Sequence, residues 1–72
     1  VSQADSDADF VHSLARGLAV IRAFGADAPQ LSMSDVAKRT GLSRATVRRF
    51  LHTLVELGYV GVEGRLYALR PR

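Results

Sequence analysis

A chain of 72 residues is long enough for one small domain and too short to bury a deep catalytic cleft beside a complete core. Its 47% apolar and 24% charged residues are ordinary globular values that exclude a wholly disordered or collagen-like chain, and no apolar run nears the roughly 20 residues of a membrane helix. The net charge of +3 is unevenly placed: residues 1–37 carry five acids and two bases, residues 38–72 two acids and eight bases.

There is no cysteine, so disulfides, thiolate metal sites and thiol catalysis are excluded, and no signal-peptide pattern opens the chain. Residues 1–9 (VSQADSDAD) are polar, acidic and aperiodic, and read as a disordered leader to a domain over residues 10–71. Leu14, Leu18, Ile21 and Phe24 recur at helical spacing and predict a helix from Phe10 to Phe24 that buries this face, with Ser13 as N-cap and Gly25 at the stop. Ala15, Ala19 and Val20 widen its apolar stripe. That width suits a second copy of the chain, with these three as dimer contacts, and equally a helix buried all round.

Leu31 to Met33 has room for a short strand. A second helix is expected from Ser34 to Thr40, capped by Ser32 or Ser34, with Asp35 in its first turn and Gly41 at its left-handed end. A third helix starts at an Ser43 N-cap, carries the apolar stripe Val47, Phe50, Leu51, Leu54 and Leu57, and stops at Gly58. Tyr59–Val62 and Leu66–Leu69, separated by Glu63-Gly64-Arg65, read as a β-hairpin. The fold class is mainly α with a small hairpin, a winged helix-turn-helix.

Between Lys38 and His52 there are five bases and no acid. On charge alone, a polyanion partner and a merely solvated face stand side by side. Placement at 100° per residue favours the first. Opposite the stripe of the third helix lie Ala45, Arg49, His52 and Glu56, with Arg44 and Arg48 on one flank and Thr46 and Thr53 on the other. A major groove about 12 Å wide admits one helix, N-terminal end first. Ala45 keeps the backbone close, Arg44 and Arg49 are suited to guanine edges, and Arg48 to a phosphate. Ser43, Thr46 and the helix N-terminal amides suit a phosphate as well. Ser34, Lys38 and Arg39 of the second helix and Arg65 of the hairpin turn are further candidate DNA contacts.

Enzyme chemistry finds no support. His12 and His52 stand apart from any carboxylate cluster, so no metal site or other cofactor is expected. The serines sit at helix starts, where capping explains them, and Asp5, Asp7 and Asp9 lack the Gly and terminal Glu of a calcium loop. The competing functions are a winged-helix protein-interaction module and a sequence-independent DNA binder.

The stretches GLSRATVRRFLHTLVELGYV (41–60), LSMSDVAKRT (31–40) and SLARGLAVIRAF (13–24) together resemble the winged helix-turn-helix domain of the IclR family of bacterial transcriptional regulators. The resemblance covers residues 10–71 and is strongest to the branch regulating protocatechuate, p-hydroxybenzoate and β-ketoadipate catabolism. It implies a cytoplasmic, non-enzymatic regulator that binds a double-stranded operator, with dimer contacts through the first helix. It further implies an aromatic or organic-acid effector held by a second domain, which these 72 residues do not match. Two departures stand out: Glu63-Gly64 replaces the expected Asp-Gly at the wing turn, and Gly61 is expected to weaken or bulge the first wing strand.

Overall fold

The computed structural model describes residues 9–71; the acidic leader, Asp9 excepted, lies outside the described residues. Three helices and three short strands follow in the order α1 (His12–Ala23), β1 (Leu31–Ser32), α2 (Met33–Thr40), α3 (Arg44–Leu57), β2 (Val60–Glu63) and β3 (Leu66–Leu69). The strands form one antiparallel sheet in the order β1-β3-β2. Leu31 and Val62 both pair with Tyr67, so the hairpin is tied back to the segment before α2. Among the described residues no helix is long and apolar enough to cross a membrane.

One core holds these elements together. Val20 and Phe24 from α1, Leu31 from β1, Val36 from α2, Val47, Leu51 and Leu54 from α3, and Val60 from β2 are all buried, with Ala28 from the first loop. Among the described residues no polar or charged one is buried with them, so this core rests on apolar area and packing.

The expected buried face of α1 holds in its second half, where Phe24 is buried and Ile21 packs against the core, and fails in its first. Leu14 and Leu18 are 61% and 47% exposed, whereas Val20 is fully buried and Gly17 faces the Phe50 ring. Gly17, Val20 and Phe24 repeat at the same helical spacing as Leu14, Leu18, Ile21 and Phe24, so the two stripes share Phe24 and periodicity cannot rank them. A domain this small has packing partners for one of them. Val20 is therefore a core residue and is withdrawn as a dimer contact; Ala15 and Ala19 are half-buried. The helix starts at His12 behind Val11, which makes no side-chain cap, so Ser13 lies inside it. At the other end Phe24 is already extended, and Gly25 closes a tight turn by exchanging both backbone hydrogen bonds with Ala28.

The later boundaries follow local chemistry closely. Ser32, not Ser34, caps α2: its hydroxyl accepts from the Asp35 N–H at 3.2 Å, while the Asp35 carboxylate accepts from the Ser32 N–H at 3.3 Å. The two groups satisfy each other's orphan donors. Gly41 ends α2 in the left-handed region at φ 75°, and Gly58 ends α3 at φ 86°. Leu57 is 61% exposed and falls outside the buried stripe, because the chain leaves the helix there. The hairpin begins at Val60 rather than Tyr59. Its two-residue loop places Gly64 at φ 63° with Arg65 at negative φ, the pattern of a type II′ turn. Gly61 pairs with Ala68 in unbroken register, so the wing carries no bulge there.

The α2 cap is a pH-dependent element. Side-chain and backbone hydrogen bonding with Ser32 holds the Asp35 carboxyl below its ordinary value of 3.8, with Lys38 and Arg39 adding to the effect and desolvation opposing it. A depressed carboxyl stabilises the fold above its unfolded-state pKa, and that stability disappears as pH falls through the folded-state value. Acid titrations of thermal stability are therefore expected to show Asp35→Asn less stable than the natural chain above the ordinary carboxylate range. The two should converge as pH drops below it. A gap that stays constant with pH would contradict this.

Candidate nucleic-acid interface

The α2–α3 connection is short and pinned. Gly41 donates its N–H to the Ala37 carbonyl at 2.9 Å. The Thr40 hydroxyl donates to the Val36 carbonyl at 2.8 Å and accepts from the Leu42 N–H at 3.2 Å. Leu42 is half-buried and packs against the core. These contacts fix the angle at which α3 leaves α2, the geometric requirement of a helix-turn-helix. Thr40 was not among the sequence candidates; its signal is a hydroxyl directly before a helix-ending glycine.

At the start of α3 the Ser43 hydroxyl accepts from the Thr46 N–H at 3.1 Å and donates to Thr46 Oγ1 at 3.0 Å. Ser43 is thus occupied as a cap. The Thr46 hydroxyl accepts that bond and retains its own proton for a ligand. Arg44, Ala45, Arg48 and Arg49 are all exposed, Ala45 and Arg49 opposite the stripe of Val47, Leu51 and Leu54 and Arg44 and Arg48 on its flank. The only ion pair among the described residues is Arg39 with Asp27, so no carboxylate neutralises these three guanidiniums. A positive, unpaired helix face of this kind is what a phosphate backbone attracts.

The remaining candidates are spread around this face. Ser34 and Lys38 are exposed on α2, and Arg65 is exposed at the hairpin tip. Arg39 is placed differently from expectation. Its Nη1 donates to the Ala23 carbonyl at 3.3 Å and its Nη2 lies 3.7 Å from the Asp27 carboxylate. It binds the C-terminal end of α1, where a cation complements the helix dipole, and latches α2 to α1. Its side chain is still 42% exposed, so the latch does not bar it from a phosphate. Between α3 and the hairpin runs an open groove of about 510 Å³, with Met33, Val55, Val62 and Tyr67 along its apolar part and Arg48 and His52 among its polar walls.

Residues 13–64 match the family model described as the IclR helix-turn-helix domain, which takes in α1, the helix-turn-helix and the first half of the hairpin. The chain belongs to this family. It is 52% identical over 66 residues to the Pca regulon regulatory protein of Pseudomonas putida, covering 92% of this chain and 23% of that protein. It is 44% identical over 64 residues to the p-hydroxybenzoate hydroxylase transcriptional activator of Acinetobacter baylyi, covering 89% and 24%. Among solved structures, an IclR family transcriptional regulator from Brucella abortus matches with a TM-score of 0.88 at 40% identity, over 99% of this chain and 28% of that one. The chain thus spans about a quarter of the length of these IclR relatives, and its three helices and three-stranded sheet are an IclR winged helix.

Proposed function

We propose that this IclR-family chain is a sequence-specific domain for double-stranded DNA, acting in a regulator of aromatic-compound catabolism. The observation that carries the proposal is the exposed surface of α3, with Arg49 and a small Ala45 opposite an apolar buried stripe, Arg44 and Arg48 on its flank, and all three guanidiniums unpaired among the described residues. Arg44 and Arg49 read base edges, with Ala45 allowing close approach. Arg48, Ser34 and Lys38 hold the backbone together with the Thr46 hydroxyl, and Arg65 reaches the flanking groove from the wing. Ser43 supports the site as its cap.

The exposed apolar residues Phe10, Val11, Leu14 and Leu18 at the start of α1 supply the surface for a second copy of the chain. Two copies related by a two-fold axis would read a palindromic operator. Control by a small aromatic or organic acid would belong to parts of a longer protein, and the setting would be the cytoplasm.

Titration against a random duplex at two salt concentrations, followed by selection of bound duplexes from a random pool, tests the reading. Steep salt dependence with a two-fold symmetric enriched site is the expected result. Absence of salt-sensitive duplex binding would favour a protein-interaction module instead, and salt-sensitive binding without enrichment a sequence-independent binder.

A further inference from the structure

A second, smaller hollow of about 220 Å³ lies where α1 crosses α3, lined by Ser13 and Arg16 of α1 and by Thr46, Arg49, Phe50 and Thr53 of α3. Phe50 joins the two helices, packing on the core with its ring against Gly17. The rest of the lining is polar: two guanidiniums and three hydroxyls, with no carboxylate. The Thr53 hydroxyl is committed to the Arg49 carbonyl at 3.0 Å. The side chains of Ser13, Arg16 and Arg49 hold no hydrogen bond or ion pair with another described residue. Two guanidinium side chains bordering one hollow carry like charge with no carboxylate in the lining, and an anion seated there is attracted by both.

Arg49 and Thr46 belong both to this hollow and to the outward face of α3. A duplex seated on that face carries its backbone past the α1 crossing. We propose that the α1–α3 hollow seats a backbone phosphate of the duplex on the Arg16 guanidinium, with the Ser13 and Thr46 hydroxyls donating to it and the Arg49 fork left to the base edge beside it. The first helix is then part of the DNA interface, and Arg16 is a positioning residue that sets how α3 lies in the groove. A phosphate contact fixes register without reading a base. This inference rests on the DNA reading above and adds a residue from an element to which only dimer contacts had been assigned.

The test compares the natural chain with Arg16→Gln and Arg16→Lys on a random duplex and on the duplex enriched by selection, between about 50 and 200 mM salt. For Arg16→Gln the slope of log affinity against log salt is expected to fall by about 0.9 per bound protomer, a roughly threefold loss of salt sensitivity over that range. The order of base preferences should stay unchanged, and Arg16→Lys should keep the slope. Sedimentation and circular dichroism on the same samples report assembly and folding. An unchanged slope in Arg16→Gln, with the natural chain still binding DNA, overturns the phosphate seat and leaves the DNA reading standing. An affinity loss that tracks altered sedimentation at constant slope overturns it equally. Absence of duplex binding by the natural chain overturns both.

Discussion

Replacing Arg49 or Arg44 by Ala is expected to cost roughly 1–3 kcal/mol of operator affinity and to relax the preference at one base position. Both side chains are exposed on the first two turns of α3, and neither is held by a carboxylate within the described residues. A guanidinium on the groove side of a helix presents a fork that matches the two acceptors of guanine, O6 and N7. Losing it leaves those acceptors unpaired in a partly dried interface, which is why discrimination falls along with affinity. Arg48→Ala should behave differently. Arg48 stands on the flank of α3 rather than opposite its buried stripe, and shares the lining of the hairpin groove with Arg49 and His52. There it meets the backbone, so its loss should weaken all duplexes alike and lower the salt slope by about 1. Binding to a set of single-base operator variants by the three mutants checks this. Equal losses across all variants for Arg44→Ala and Arg49→Ala would remove them as base readers.

Leu51→Ala should largely unfold the chain. Leu51 is the largest side chain with no exposed surface, and it sits at the centre of the α3 stripe between Val47 and Leu54. Large-to-small changes at such sites cost about 2–5 kcal/mol, from lost transfer energy and the cavity left behind. A single core in a domain of this size rarely supplies more than about 3–5 kcal/mol in total. The deletion therefore consumes most of the stability available. Leu57→Ala, six residues along the same helix, removes the same atoms from a side chain that is mostly in water, and should stay within about 0.5 kcal/mol of the natural chain. Urea unfolding of the pair is a direct comparison, and equal destabilisation would contradict the placement of the core.

That contrast also marks what can be read from the residues alone. The ends of α2 and α3 were legible because caps are local: Ser43, Gly41 and Gly58 each act on backbone groups within a few residues of themselves. The outward face of α3 was legible because Val47, Leu51 and Leu54 leave one helix side for the core and the opposite side for Arg49. The buried face of α1 was not, because two stripes of equal period compete and α3 decides between them through Phe50. The latch role of Arg39 was hidden for a related reason. It follows an exposed Lys38 in sequence, but its partners, Ala23 and Asp27, come from the end of α1 and the loop after it. Pairing across elements leaves no trace in local charge. The hollow at Arg16 was missed likewise, since Ser13 and Arg16 gain significance only beside Thr46 and Arg49.

The most direct measurement is an amide chemical-shift titration of the labelled chain with the selected duplex. The largest shifts should fall on Ser43 to Thr53 along the exposed side of α3, with smaller ones at Arg16 and at the Gly64-Arg65 turn. Shifts confined to Phe10–Leu18, or to the hairpin with α3 silent, would contradict a duplex seated on the arginine face.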